Sequence, residues 1–441
     1  MTTYPPDRRD FARSAPVRLW EDGFASDPLR YYSALRAQGA VGWAELAPGV
    51  PAYLVTDRRA ALEVLHDEER FSHDPRAWEE TVPADSPVLG MMRWRPNALF
   101  ADGAAHVRYR TTLIDVFDLV EPHDLRARVQ RAVRLLAERI GPLGEADLVA
   151  DFSRPLLALV LNDLFGLPDS QGDLLNRTLG KMMEGGAQAA QGEAEYGQYV
   201  LDLIAAKAER RGDDLPSRLL DHPARLTPEE VTWQVFLTLG AGYEPTANLL
   251  SNTLSRILGN PDYYSTLTNG ARPVMDAVVE VLHHETPLTN YGIYYARRPL
   301  SFHGVWLRET VPVVVSYGAL GHFAEQRGGE GRHPHDASHL SWGAGAHACP
   351  VKQHTLLIVT EAIERLTQWL PDLDPVLPRD RLSWRPGPFH RSLTALPVRF
   401  SPRSPAAGRS DRPHRRDQPD QPDQPDQPDQ PDESEQPGVL S

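Results

Sequence analysis

Residues 341–350 read SWGAGAHACP and contain Cys349, the only cysteine among the 441 residues of the chain. Gly343 and Gly345 allow the backbone to fold tightly just before this cysteine. A helix that begins at about Pro350 would place Cys349 at its N-terminus, where unpaired backbone N–H groups and the positive end of the helix dipole favour the thiolate. A lone cysteine is more often an inert buried thiol, so the pattern of residues around this one has to decide its role.

The segment after Cys349 has the period of a helix with one buried face. Its apolar residues recur at spacings of three and four, and they are Leu356, Val359, Ile363, Leu366 and Leu370. This periodicity predicts an amphipathic helix that packs on a core.

Composition indicates a folded protein of a reducing compartment. Hydrophobic residues make up 41% and charged residues 24% of the chain, which is ordinary for a globular protein. A single cysteine excludes an intramolecular disulfide and every zinc or iron–sulfur site that needs two cysteine ligands, and it favours the cytoplasm. The formal net charge of -14 disfavours nucleic acid as a partner. Because the N-terminal residues contain no long apolar run, we expect neither a signal peptide nor a membrane anchor.

Helical periodicity dominates the sequence and predicts a mainly α protein with a small β portion. The clearest helix covers residues 231–258, and Thr227, Pro228 and Glu230 mark its start as N-cap, first helical residue and capping-box acid. A second helical run covers residues 147–168. Strand-like runs are short and lie at 51–55, 311–316 and 396–400.

The chain divides at about residue 400. Residues 417–432 read DQPDQPDQPDQPDQPD, a repeat of three residues without apolar side chains. Proline at every third position blocks helix and sheet, so we expect residues 401–441 to form a disordered tail. A docking sequence for an unknown partner is the alternative for this tail. We expect residues 1–400 to form one domain.

The segment DGAAHVRYR, residues 102–110, carries two cationic side chains on one face of a predicted helix. His106 and Arg110 lie four residues apart, so both can reach one anionic group. Taken alone, such a pair is more often a solvated cationic face.

The segment AGYEPTANLL, residues 241–250, places Glu244 and Thr246 in the middle of the long apolar helix. Gly242 and Pro245 weaken the helical hydrogen-bond ladder there and would open a groove beside the acid. Surface polar residues beside a proline kink are the alternative, but burial of an acid in an apolar helix requires a reason.

Trp342 to Cys349 form the pattern W-G-x-G-x-H-x-C, which resembles the heme-binding loop of the cytochrome P-450 family. The other segments follow in the family's order, so the resemblance covers roughly residues 15–400. It implies the family's mainly α fold, of the soluble bacterial type, with heme b as the cofactor. Cys349 would be the axial ligand of the heme iron, because a thiolate donates electron density to the metal and favours O–O cleavage.

The resemblance also implies roles for the other polar residues. His106, Arg110 and His347 would bind the carboxylates of the heme propionates. Glu244 and Thr246 would be the acid–alcohol pair that relays protons during oxygen activation.

One motif of the family is altered. Where the family has E-x-x-R, Glu280 is followed by His283. We expect the two to remain a pair on one helical face, although histidine lacks the planar five-donor fork of arginine. The stretch 321–340 lacks the proline–aromatic pattern that usually carries the third member of this group.

Two further positions depart from the family. Tyr294 stands where an arginine usually reaches the heme propionate, with Arg297 as a possible substitute, and Val351 replaces a glycine after the cysteine. A few actinobacterial members found beside signalling GTPases look similar at these points. They suggest an alternative function, a low-turnover heme-binding sensor or partner protein in a GTPase-linked signalling complex.

The resemblance implies a monooxygenase that inserts one oxygen atom of O2 into a small organic substrate. Because the chain contains no flavin or NAD(P)H motif, electrons would come from a separate ferredoxin or flavin-type donor. Residues 81–95 and 288–293 are the predicted substrate contacts. A globular protein without heme is the third alternative.

Overall fold

Helices form most of the structure, a computed structural model, which confirms the predicted mainly α class. The structure describes residue 11 and residues 14–184, 188–268, 270–325 and 338–403. Its helices, α1 to α16 in chain order, are Asp22–Ser26, Pro28–Arg36, Arg58–His66, Arg76–Glu79, Leu89–Met92, Gly103–Phe117, Pro122–Ile140, Arg154–Leu164, Gly172–Glu184, Ala189–Glu209, Leu215–Leu220, Pro228–Leu258, Pro261–Thr268, Val274–His284, Tyr317–Glu325 and Lys352–Trp369.

The β portion consists of short strands, β1 to β11. They are Val17–Arg18, Val41–Ala47, Val50–Val55, Phe71–Ser72, Glu145–Asp147, Gly292–Ala296, Leu300–Phe302, Val305–Leu307, Val313–Val315, Asp374–Pro375 and Pro397–Arg399. Three of them, β3, β9 and β11, confirm the three predicted strand-like runs.

The larger sheet has six strands in the order β1-β2-β3-β9-β6-β4. Its centre is the parallel pair β3 and β9, in which Tyr53 lies opposite Val313, and the antiparallel pair β9 and β6. A second sheet has the order β10-β11-β5, and β7 and β8 form a hairpin. The six-stranded sheet therefore pairs strands from distant parts of the chain.

The long helix α12 begins as predicted. The Thr227 side chain accepts a hydrogen bond from the backbone of Glu230, whose carboxylate accepts one from the Thr227 backbone, and Pro228 occupies the first helical turn. Such a capping box satisfies N–H groups that have no partner inside the helix. Pro245 stands within α12, which runs on to Leu258.

The predicted helix after the cysteine is α16. It begins at Lys352 rather than at about Pro350, and it packs on α7, α12 and α14. Val359, Ile363 and Leu366 of its predicted apolar face are fully buried. Leu370, which completes this face, is buried at the residue that ends the helix.

Residues 147–168 are predicted to be helical, but a regular α-helix covers only part of this range. Asp147 ends strand β5, a wide helical turn covers Leu148–Ser153, and α8 follows. The Asp147 carboxylate accepts hydrogen bonds from the backbone N–H groups of Val149 and Leu396. It therefore caps the turn and ties it to the chain just before β11, a long-range contact that periodicity does not predict.

Internal contacts define one compact unit for residues 1–405. The predicted tail, residues 401–441, lies outside the described residues except for 401–403. None of the helices in the described ranges is long and apolar enough to cross a membrane.

Candidate heme-binding and active site

The two glycines of the cysteine loop are required by its geometry. Gly343 and Gly345 have φ values of 69° and 70°, in the region that residues with a side chain rarely adopt. A Cβ added to Gly345 would also collide with the carbonyl oxygen of Leu65 in α3. The loop closes through the backbone N–H of Cys349, which donates to the Trp342 carbonyl oxygen at 2.7 Å. The predicted tight turn is confirmed.

The pKa of the Cys349 thiol does not follow the prediction, in which the helix dipole favours the thiolate. Burial raises the pKa of the thiol, and this outweighs a backbone hydrogen bond from Val351 and the charges of Arg110 and Lys352, which lower it. The helix begins three residues after the cysteine, so the positive end of its dipole lies further away than predicted. A coordinating metal ion deprotonates a thiol outright, so the site does not require a free thiolate.

The residues predicted to bind carboxylates lie together beside this loop. The ring of His106, in α6, stacks on the ring of His347 with centres 3.9 Å apart. Arg110, one helical turn further along α6, donates a hydrogen bond to the carbonyl oxygen of Ala348. The structure thus brings together three cationic or neutral donors from two segments more than 200 residues apart in sequence.

The hydrogen-bond donors of this cluster suit a cofactor that carries carboxylates at its edge. Nε2 of His106 is buried, and it has no hydrogen-bond partner among the described residues. Burial lowers the pKa of His106. Burial, followed by the charges of His73 and His106, lowers the pKa of His347 to about 2. Buried, unpaired donors cost free energy, and heme propionates would supply acceptors to this cluster.

Glu244 is buried in α12, as predicted, and the structure adds a partner that the sequence did not reveal. Its side chain is 1% exposed and forms an ion pair with Arg385. Burial raises the pKa of the Glu244 carboxyl, but the charges of Arg385 and His390 outweigh burial and lower the pKa to about 2. Asn248 donates to Oε1 at 3.2 Å, whereas Oε2 has no partner among the described residues.

The Glu244–Arg385 pair predicts a large stability effect. Replacing Arg385 with Met leaves a buried carboxylate unpaired, so we expect the free energy of unfolding at neutral pH to fall by about 3–5 kcal/mol. Because the folded pKa of Glu244 is depressed, its stabilising contribution is present above roughly pH 4 and is lost as the pH falls toward the folded pKa.

Denaturant unfolding of the Arg385→Met holoprotein measures this effect. Arg381→Met changes an exposed arginine nearby and is the matched control. Equal stability of the two variants would contradict a stabilising role for the buried ion pair.

A cavity opens beside Glu244. Its lining includes residues of both predicted substrate segments, of α9, α10 and α12, of the stretch 97–100, and His390. The lining residues are Gly90, Met91, Arg95, Asn97, Leu99, Phe100, Met182, Tyr196, Phe236, Leu237, Gly240, Ala241, Glu244, Pro245, Leu288, Tyr291 and His390. Pro245 has no N–H group, so it cannot bond to the Ala241 carbonyl at this wall. Thr246 is buried but is not among the described residues that line the cavity.

The predicted pair of Glu280 and His283 is wrong. The carboxylate of Glu280 contacts the guanidinium of Arg256 in α12 and lies 3.2 Å from Nη2 of Arg272. The ring of His283 instead packs edge-on against that of His339, with centres 5.1 Å apart. Arginine is always charged and offers more donors than imidazole, so two arginines from elsewhere in the chain hold this carboxylate.

The position of the usual strand arginine is filled differently. Tyr294 is buried, and its ring packs against that of His73 with centres 4.0 Å apart. Arg297, the predicted substitute, forms an ion pair with Asp102 at 3.0 Å and donates from Nε to the carbonyl oxygen of Glu68 at 2.8 Å. Arg297 is therefore already paired with the carboxylate of Asp102 rather than left to pair with a propionate.

Two further departures from the family lie at Val351 and in the stretch 321–340. Val351 has a φ of -111°, which any residue adopts, so a glycine is not needed for the backbone there. Within the stretch 321–340, residues 326–337 lie outside the described residues.

The chain is similar to known proteins over most of its length. No family model matches the chain. It is 30% identical over 398 residues to cytochrome P-450 107B1 of Saccharopolyspora erythraea. This alignment covers 86% of this chain and 96% of that protein. It is 27% identical over 401 residues to 6-deoxyerythronolide B hydroxylase of the same organism, with 87% and 98% covered. The solved structure of CYP154A1 from Streptomyces coelicolor matches with a TM-score of 0.77 at 26% identity, with 87% and 100% covered.

The fold and the cysteine loop therefore define a heme-thiolate protein. The two relatives, one named a cytochrome P-450 and the other a hydroxylase, match this chain over nearly their whole length. The chain belongs to the cytochrome P-450 family. It is an oxidoreductase with heme b as its cofactor, and it acts on a small molecule with electrons from a separate redox partner. None of these similarities favours the sensor alternative.

Proposed function

We propose that this monooxygenase oxidises a neutral, largely apolar substrate held in the cavity beside α12. The observation that carries this proposal is the pairing of charges at the cavity wall. Glu244 is paired with Arg385, and the buried guanidinium of Arg95 lies 2.6 Å from the carboxylate of Glu193. A charged substrate would remain without a counter-ion there, and burial of an unpaired charge is strongly unfavourable.

The other lining residues support the same substrate class. Phe236, Leu237 and Leu288 supply apolar surface. The hydroxyl of Tyr291 donates to the Met91 carbonyl oxygen at 2.6 Å. The cavity thus offers apolar contact with a few oriented polar groups, which is the usual composition of a small-molecule site.

We expect an uncharged compound to bind better than its charged counterpart. Methyl esters and their free carboxylates form matched pairs of nearly equal size, and binding is measured by the heme spin-state shift. The ester of each pair should bind at least roughly tenfold more tightly, because the carboxylate loses hydration without gaining a partner. Tighter binding of the acids would contradict the proposed substrate class.

Heme supplies thiolate-assisted activation of O2 when it is bound, and we propose that two groups of residues hold it. Cys349 would hold the iron, and His106, Arg110 and His347 would hold the propionates. This assignment is supported by the stacked rings and by the buried Nε2 of His106, which has no partner among the described residues. Charge-assisted hydrogen bonds are shorter and stronger than neutral ones.

We call the cluster of His106, Arg110 and His347 the carboxylate cradle. A double variant of this cradle is expected to lose heme faster than the wild type. His106→Ala with Arg110→Ala removes two donors, each contributing about 1.5–3 kcal/mol. We expect heme transfer from the holoprotein to excess apomyoglobin to accelerate by at least roughly 100-fold. His123→Ala, which changes an exposed histidine of α7, is the control. An unchanged transfer rate in the double variant would exclude the cradle.

We propose that Glu244 and Thr246 move protons toward the cavity. Glu244 is a carboxylate at neutral pH, since its pKa lies at about 2, and its Oε2, which has no partner among the described residues, can accept a hydrogen bond from water. The Thr246 hydroxyl makes no hydrogen bond within the described part of the chain, so it is available to hold a water molecule that connects it to the cavity. This water would carry the proton, and the carboxylate of Glu244 would orient it.

The proposal also covers the electron donor and the location of the protein in the cell. The electron donor would be a ferredoxin or a flavin-type protein, because the chain carries no motif for a flavin or nicotinamide cofactor. The single cysteine supports a cytoplasmic location. Turnover with a surrogate ferredoxin system tests the function, and the absence of product from every spin-shifting ligand would contradict it.

A further inference from the structure

Three histidine rings lie side by side near the cysteine loop, and one of them belongs to no motif. His73 follows strand β4, and its ring centre lies 3.7 Å from that of His347. The centre of the His347 ring also lies 3.9 Å from that of His106, on which it stacks. His73 also packs against Tyr294 at 4.0 Å. A residue distant in sequence therefore joins the proposed carboxylate cradle.

The imidazole of His73 is buried and lacks a partner for one nitrogen. The residue is 7% exposed, and no described residue forms a hydrogen bond with Nε2. Its backbone N–H is held by the Asp102 carboxylate at 3.1 Å, so the loop position is fixed. A buried nitrogen with no partner is unfavourable, and Nε2 of the neighbouring His106 is in the same condition.

The charges around His73 explain why a ligand rather than a side chain would satisfy this nitrogen. The carboxylate that holds the His73 backbone, that of Asp102, is already shared by Arg297 and the Ser72 hydroxyl. Tyr294 adds a ring where the resemblance places an arginine, so the strand supplies no cation.

We infer that His73 is an additional partner of the heme propionates and takes over part of the role of the missing arginine at position 294. This inference rests on the proposed assignment of His106, Arg110 and His347 to the same propionates. His73 would donate a hydrogen bond from its imidazole, and its packing between Tyr294 and His347 restricts its rotation. It acts as a cofactor-binding residue and takes no part in proton transfer.

Heme transfer from the holoprotein to excess apomyoglobin tests this role, with four variants compared. His73→Phe keeps the ring packing and removes the donor, whereas His73→Gln keeps a donor. His123→Phe places the same ring at an exposed position of α7, and His106→Ala reports on the cradle itself. We expect roughly 10- to 100-fold faster heme loss from His73→Phe, as for one charge-assisted hydrogen bond. His73→Gln and His123→Phe should remain within about threefold of the wild type.

The outcomes separate this inference from the proposal on which it depends. Accelerated loss from His106→Ala with an unchanged rate for His73→Phe overturns the role of His73 alone. Unchanged rates for both variants overturn the cradle as well. Equal acceleration in His73→Phe and His73→Gln shows that only packing matters and also overturns the inference. If His73→Phe does not accumulate as holoprotein, His73→Leu serves as the donor-free variant under the same criteria.

Discussion

Replacement of Cys349 by serine is expected to abolish the strongly red-shifted Soret band of the reduced carbonyl complex. This band requires a thiolate sulfur on the iron, and Cys349 is the only cysteine in the chain. A serine hydroxyl has nearly the same size, but it is neither as polarizable as a thiolate nor as easily deprotonated. The loop backbone should persist, because Gly343 and Gly345 set its conformation.

The measurement is a difference spectrum of purified holoprotein, reduced with dithionite and exposed to carbon monoxide. Ala348→Ser is the matched control, since it introduces the same hydroxyl one residue earlier and leaves the thiol in place. The control should keep the red-shifted band. Survival of this band in Cys349→Ser would show that another residue ligates the iron.

The second large effect is expected from removal of the Thr246 hydroxyl. Thr246→Ala should keep the heme spectrum and ligand binding, because the residue makes no hydrogen bond in the described part of the chain and does not line the cavity. It should divert reducing equivalents from product to hydrogen peroxide, since the water that carries the proton loses its anchor. General acid–base groups contribute about 100-fold or more, so we expect product formation to fall by a similar factor.

Product and peroxide per NADPH consumed are measured with one spin-shifting ligand and a surrogate ferredoxin system. Thr253→Ala, in the same helix, removes a buried hydroxyl that bonds only to the Leu249 carbonyl oxygen, and it controls for a general loss of packing. The same peroxide fraction in wild type and Thr246→Ala would exclude the hydroxyl from the relay. Glu244 and water beside Pro245 would then be the remaining route.

Local features of this fold could be predicted from the sequence. The capping box of α12, the buried face of α16 and the positive φ angles of Gly343 and Gly345 each depend on residues close together in the chain. Helix starts, amphipathic faces and tight turns are determined mainly by such neighbours. The same reasoning placed His106 and Arg110 on one helical face.

Partners from distant segments could not be predicted in this way. Arg385 lies 141 residues from Glu244, and no spacing rule connects them. Glu280 was assigned to a histidine one helical turn away, but arginines from α12 and from the loop before α14 hold it. Long-range pairing depends on how helices pack, and many packings satisfy one periodicity.

The most direct test of the account follows isotopic oxygen during turnover of the wild-type holoprotein. The neutral ligand with the largest spin-state shift is incubated with a surrogate ferredoxin system under oxygen-18 gas, and in parallel in oxygen-18 water under ordinary air. A monooxygenase is expected to yield product with one labelled atom from the gas and none from the water. Product labelled from water, or no oxygenated product while NADPH is consumed, would contradict the assignment of this chain as an oxygen-inserting enzyme.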